Sequence, residues 1–377
     1  MRLRRLAGVV AVAAAALVLS SCGSSSSPAT SSAAGSASGS AAAGALKVAF
    51  VYIGSPADGG WTAKHAEGVK ELKSALGDKV AVTEVENIKD DATSKPTFER
   101  LAREGNKLIF ATSFGYGDPM LEAAKEFPDV KFEWATGYKT AANLGTYFGA
   151  AEEARYLTGM AAASLSKTGK LGYVAAFPIP EVVRGLDAFT LGARAVKPDA
   201  TVEVSWTSTW FDPTKEGQAA DALLAKGIDV LGMHQDSTAV GQAAEKKGAR
   251  WVGYNADAST AAPKAWITAP TWNWGPYYTR TAQAVIDGTW KADQYYGSMA
   301  DGLVGYAPLA SDVPADVKAK IEKAAADLKG GTLKPFTGPI KDNTGAEKIP
   351  AGSSADLTAL LSLNYAVEGV VGTIPKS

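Results

Sequence analysis

The chain has 377 residues, 46% hydrophobic and 20% charged, with a formal net charge of −1. That length accommodates two domains with real cores, and the near-zero charge argues against nucleic acid as a partner and provides no steering toward a charged ligand. Nine Trp and thirteen Tyr stand against two His (His65 and His234) and one Cys, a balance suited to aromatic recognition more than to metal or thiol chemistry.

In chain order, Arg2, Arg4 and Arg5 precede an apolar run from Leu6 to Leu19. A charged start, an apolar stretch and small residues at a cut site predict a secretory signal over residues 1–21. Cys22 follows Leu19-Ser20-Ser21 and resembles the cysteine of the bacterial lipobox, whose thiol carries diacylglycerol; an ordinary signal peptide with an incidental cysteine is the alternative. Removal of 21 residues from 377 leaves 356. Residues 22–44, after Cys22 nearly all Ser, Ala and Gly, read as a flexible tether. No later segment approaches the ~18–20 uninterrupted apolar residues of a bilayer span.

From Leu46 the pattern changes. Leu46–Ile53 reads as a strand ending in Gly54-Ser55-Pro56, and Thr62–Leu76 as a helix with Ala66, Val69, Leu72 and Leu76 on one face. Strands follow at Val80–Val85, Lys107–Thr112 and Val130–Trp134, with helices at Thr97–Gly105 and Pro119–Phe127 between them. A second series restarts at helix Glu152–Leu165. Its strands are Lys170–Ala176, Val202–Trp206, Asp229–Met233, Arg250–Tyr254 and Ala265–Ala269, separated by helices Pro180–Val196, Thr214–Lys226 and Ser237–Lys247. Helix Tyr277–Ile286, short strands Gly305–Ser311 and Thr337–Ile340, and an amphipathic helix Asp312–Lys329 complete the pattern. Two successive alternating series predict an α/β protein of two Rossmann-like lobes with parallel sheets. The expected division is 45–155 for lobe 1, with 270–305 returning to it, and 156–269 for lobe 2, with 306–377 largely returning to it.

In open α/β sheets ligands sit beyond the carboxyl ends of the strands. Aromatic residues occupy five of the seven strand ends, at Trp61, Phe114 and Tyr116, Phe177, Trp210 and Phe211, and Trp272 with Trp274. Asp58, His234, Asp236 and Asn255 stand among them. Aromatic faces stack on flat ligands, while amides and carboxylates read a donor and acceptor edge. A purine has that shape; a sugar stacked on Trp is the alternative. Trp61 follows Gly59-Gly60 at a helix start, where it either stacks on ligand or packs beneath the loop. Phe114 and Tyr116 flank Gly115 in a tight turn; either can be a core residue, and a ligand contact by one of them is the alternative. Trp272 and Trp274 are two apart, so in an extended segment they share a side, and at least one is expected to reach the cleft. Asp58, Asp236 and Asn255 can equally cap helices or turns. With His65 on a different helix, His234 has no metal-ligand spacing and reads as a polar lining residue. The chain carries no GxSxG elbow, P-loop or paired-cysteine motif, so catalysis is not expected, nor a metal or cofactor.

Several stretches together resemble the basic membrane protein family of bacterial ABC-transporter substrate-binding lipoproteins, the purine-nucleoside-receptor-like group. They are Asp58-Gly-Gly-Trp-Thr62, Phe114-Gly-Tyr-Gly117, residues 144–159, Val183-Arg-Gly-Leu-Asp-Ala-Phe-Thr-Leu-Gly192, Trp210-Phe-Asp-Pro213 and Gly338-Pro-Ile340. The resemblance implies a type I periplasmic-binding-protein fold with a hinge and an interlobe cleft. It also implies a monomer, lipid-anchored to the outer face of the membrane, that serves a permease and its ATPase. Trp61 occupies the place of the base-stacking aromatic, more usually Phe. The family's Gly-x-Asp strand end, which holds ribose hydroxyls, reads Gly253-Tyr-Asn255 here, and the later lysine's region reads Thr271-Trp-Asn-Trp274. Both departures point toward a free purine base such as adenine, with a nucleoside less favoured.

Overall fold

The computed structural model describes residues 44–375. The expected signal, Cys22 and almost all of the tether lie outside the described residues. The first strand, β1 (Leu46–Val51), is apolar nearly throughout and buried on both faces, as a central parallel strand requires. It pairs with β2 (Val80–Val85) on one side and β3 (Leu108–Ala111) on the other, in register Val48↔Val82 and Val48↔Leu108. β4 (Lys131–Ala135) and β5 (Leu144–Gly149) extend the sheet beyond β3. Three helices connect these strands: α1 (Trp61–Leu76), α2 (Lys95–Arg103) and α3 (Gly117–Glu126).

The second unit begins with α4 (Ala151–Leu165), which starts two residues after β5 and carries a run of small residues. The chain then alternates through β6 (Lys170–Ala175), α5 (Pro180–Val196), β7 (Thr201–Trp206), α6 (Pro213–Leu224), β8 (Val230–His234), α7 (Ala239–Lys246), β9 (Arg250–Val252) and β10 (Trp266–Thr268). α4 and α5 cross at backbone distance: a Cβ on Gly159 would lie 2.0 Å from the Phe189 carbonyl oxygen, and one on Gly192 1.9 Å from that of Tyr156. Only glycine permits that approach. The 155/156 boundary expected from the sequence falls inside α4.

The chain then returns. β11 (Pro270–Trp272) leads into α8 (Gly275–Ile286), which packs on α1 of the first lobe, and β12 (Gln294–Gly297) adds to β5 as that sheet's edge. β13 (Val304–Tyr306) pairs antiparallel with β11, and α9 (Ala315–Lys329), the short hairpin β14 (Ile340–Lys341) with β15 (Glu347–Ile349), α10 (Leu357–Leu361) and β16 (Val370–Val371) follow. The finished sheets run β12-β5-β4-β3-β1-β2 and β10-β9-β8-β6-β7-β16, with parallel pairing throughout both. Between them the described chain crosses after Gly149, after Thr268 and after Gly297. A multi-strand connection between two lobes is a hinge by construction.

Strands β5 and β12 are absent from the sequence reading. The predicted strand over Gly305–Ser311 is the shorter β13, and that over Thr337–Ile340 is reduced to the two residues of β14 plus an isolated bridge at Thr337.

Candidate functional site

The loop after β1 is held by one carboxylate. Asp58 accepts hydrogen bonds from the backbone N–H groups of Gly60 (2.8 Å), Thr62 (2.9 Å) and Ala63 (3.0 Å), closing the start of α1. That pins Trp61 as the helix's first residue. Its indole N–H donates to the Thr112 carbonyl at the end of β3 (2.6 Å), and the rings of His65, Trp272 and Trp274 meet it edge-on at 4.3, 6.0 and 5.8 Å. The ring is thus fixed from behind.

In front of it lies a small interlobe pocket, a concave site of the kind that small-molecule ligands occupy. Ile53, Trp61, Ser113, Phe114 and Thr136 line it from the first lobe, and Glu181, Trp210, His234, Asp236 and Tyr254 from the second. All lie at or just beyond strand ends or at helix starts. The space continues on one side into a chamber past Tyr138, Arg184 and Tyr296, and on the other into a larger one past Asp58, Lys89 and Phe177. The lobes touch at Gly60, where a Cβ would lie 2.9 Å from the Asp236 carbonyl oxygen.

The ionisable groups come from the second lobe. Asp236 is half-buried, and desolvation, with Asp58 and Glu216 nearby, pushes its carboxyl pKa well above the usual range. It accepts from the Asn255 amide (3.1 Å), and the Asn255 carbonyl in turn accepts from the Trp272 indole N–H (2.8 Å). Asn255 adopts φ +71, a left-handed conformation that Asn tolerates. Burial lowers the His234 pKa to about 4, so the ring is neutral, with Nε2 3.2 Å from Glu181 Oε1. Tyr254 packs on His234 at 4.4 Å, and the buried Arg155 guanidinium stacks over Tyr254 at 3.8 Å.

Of the residues singled out from sequence, Trp61, Phe114, Trp210, His234 and Asp236 converge on the pocket. Asp58 and Phe177 line the larger side chamber, Phe177 against Trp210 at 5.0 Å. Tyr116 is a core residue: it is fully buried against Phe98, and its hydroxyl donates to the Ile88 carbonyl (2.5 Å). Trp272 and Trp274 do share a side, stacked at 5.0 Å, but that side is an aromatic layer behind Trp61 instead of the cleft. Asn255 serves Asp236 and Trp272, and both functions of its amide are occupied. Sequence reasoning missed Glu181, Tyr254, Ser113, Thr136 and Ile53. Glu181 falls inside the predicted helix Pro180–Val196, where a lone carboxylate in the first turn carries no strand-end signal. Tyr254 was counted into a strand that in fact ends at Val252.

A family model described as ABC transporter substrate-binding protein PnrA-like (Bmp) matches residues 45–330. A purine-binding protein of Brucella abortus is 49% identical over 331 residues, covering 88% of this chain and 94% of that one. A Haloferax volcanii protein provisionally named an ABC transporter glucose-binding protein is 34% identical, covering 88% and 82%. Among solved structures, an ABC transporter solute-binding protein from Conexibacter woesei superposes with a TM-score of 0.63 at 26% identity, over 77% of this chain and 98% of that one.

Proposed function

Because the chain belongs to the Bmp family of PnrA-like ABC transporter substrate-binding proteins and has the two-lobed type I periplasmic-binding-protein fold, we propose that it captures a purine base or purine nucleoside between its lobes and delivers it to the importer's permease and ATPase. The family is extracytoplasmic, and among the described residues no helix is long and apolar enough to cross a membrane. We assign Cys22 as the lipid anchor and the Ser/Ala/Gly segment after it as the tether that keeps the binder beside its permease.

One observation carries the ligand reading. The pocket is walled by Trp61 and Phe114 on one lobe and by Trp210 and Tyr254 on the other, with hydrogen-bonding groups confined to Ser113, Thr136, Glu181, His234, Asp236 and the Tyr254 hydroxyl. A flat heteroaromatic ring satisfies both requirements: two faces for stacking and an edge of donors and acceptors. Among the described lining residues of this pocket there is no Lys or Arg, so a phosphorylated nucleotide has no countercharge there. The Asp236 carboxyl adds a hydrogen-bonding group to that edge. The name of the Brucella relative accords with this reading.

A thermal-shift panel tests it. Adenine, guanine, xanthine and their nucleosides are compared with pentoses and hexoses, glucose included. Stabilisation by a purine and none by sugars is the expected result. Stabilisation by a sugar alone would sink the purine reading and favour the one suggested by the Haloferax relative's name.

A further inference from the structure

We propose that Glu181 reads the edge of the bound base, accepting a hydrogen bond from one of its N–H groups, and that the site thereby selects purines carrying an amino group over those carrying a carbonyl at the same position. This rests on the purine reading above and adds the residue that sets which purine is taken.

Glu181 stands in the first turn of α5, with its side chain only 11% exposed, where the central pocket opens into the chamber beside Arg184. Among the described residues His234 is the one basic side chain within 4.0 Å of its carboxylate, with Nε2 3.2 Å from Oε1, and Arg184 lines the same chamber farther off. Neither carboxylate oxygen accepts a further hydrogen bond from any described residue. A carboxylate has about four acceptor positions, and those of Glu181 that His234 does not face are open to the cavity. The cavity is where a donor to them arrives.

The protein side cannot supply the missing donor by shifting a proton. The neutral His234 ring has one N–H, and Glu181 places it on Nε2. The other ring nitrogen, Nδ1, faces inward: a Cβ on Gly185 would sit 3.5 Å from it, 3.5 Å from Arg155 Nε and 3.6 Å from the Tyr173 hydroxyl. Nδ1, Arg155 Nε and Tyr173 Oη are all buried and make no hydrogen bond to a described residue. Arg155 donates to the Met233 carbonyl (2.7 Å) in the second lobe's interior instead of reaching the pocket.

The ligand's own N–H groups therefore complete the site. Adenine presents an exocyclic amine where a 6-oxo purine presents an acceptor oxygen. An amine facing Glu181 makes a charge-assisted hydrogen bond, whereas a carbonyl there sets lone pair against lone pair. Sites built to bond one polar group reject analogues lacking it far more strongly than apolar pockets reject a methylene.

The test is calorimetry with adenine and hypoxanthine on the full-length protein and on Glu181→Gln, which keeps the shape and replaces one acceptor by a donor. The parent is expected to prefer adenine. In Glu181→Gln, adenine affinity falls about 10- to 100-fold while hypoxanthine affinity holds or rises, so the preference collapses. A variant that loses both ligands equally, or keeps the parent's ratio, overturns the proposal. If Glu181→Gln shows no cooperative melting, the parent alone decides: unsubstituted purine, which lacks the amine, must bind at least about tenfold more weakly than adenine, and equal binding overturns the assignment. A parent that binds no purine at all overturns the proposed function itself, an outcome distinct from altered discrimination among purines.

Discussion

Trp61 is oriented before any ligand arrives. Its N–H bond to Thr112 and its three edge-on aromatic neighbours leave one ring face toward the cavity. Pre-set aromatic anchors bind at low entropic cost. Base stacking on an aromatic side chain is worth ~1–3 kcal/mol, so Trp61→Ala is expected to weaken purine binding roughly 5- to 150-fold by calorimetry while the protein still folds. Unchanged affinity would remove Trp61 from the site. The residue types at the cleft were legible in the sequence because bulky aromatics rarely crowd strand ends without a reason. Their division of labour was not. Trp61 follows β1 and Trp272 ends β11, both are buried, and only the fold shows one lining the cavity and the other bonded to Asn255 behind it.

At the scale of elements, the start of α1 depends on Asp58. Three backbone donors converge on its carboxylate, so Asp58→Ala is expected to cost ~0.5–2 kcal/mol of stability, the usual range for losing a helix cap, read as a lower midpoint in urea denaturation. Affinity falls with it, because the same loop carries Trp61; a variant with the parent's midpoint would deny Asp58 this role. The long helices and the strands β1–β4 and β6–β9 follow from apolar periodicity, which is local. β5 and β12 do not. β5 places two glycines in six residues, weakening any strand signal. β12 is four residues long and is a strand only because β5 lies beside it. Edge strands recruited from distant sequence have no local signature.

For the whole molecule, the structure is that of lobes brought together. Gly60 and the Asp236 carbonyl meet across the cleft with no room for a methyl group. Gly60→Ala is expected to leave the melting temperature of the unliganded protein close to the parent's, because the lobes can part at the hinge, yet to weaken ligand binding roughly tenfold or more by depopulating the closed form. Small-angle scattering of the variant with ligand should then lack the compaction seen in the parent. Compaction equal to the parent's would show that this contact does not limit closure.

The molecule also carries a pH signature remote from the cleft. Glu133, on β4, is fully buried and accepts from Tyr277 (2.8 Å) and Trp290 (2.7 Å); burial raises its pKa to about 7. Between the unfolded value of ~4.3 and about 7 the folded protein holds a proton that the unfolded chain releases, so this group makes stability fall as pH rises through that window, by up to roughly 3 kcal/mol. His65 and His234, held neutral by burial, act oppositely: the unfolded chain takes up protons below ~6.5, and stability falls as pH drops. Glu133→Gln should therefore show a more positive slope of stability against pH between pH 5 and 7 than the parent. Equal slopes in denaturant titrations would contradict the assignment.

The central claim is that the aromatic-walled space between the lobes takes a purine. Titrating the full-length protein with adenine in a calorimeter, alongside Trp61→Ala and with glucose as the competing candidate, tests it most directly. The account predicts saturable binding of one adenine per chain, marked weakening in the variant and no heat from glucose. Saturable glucose binding with no response to adenine or any other purine would contradict it.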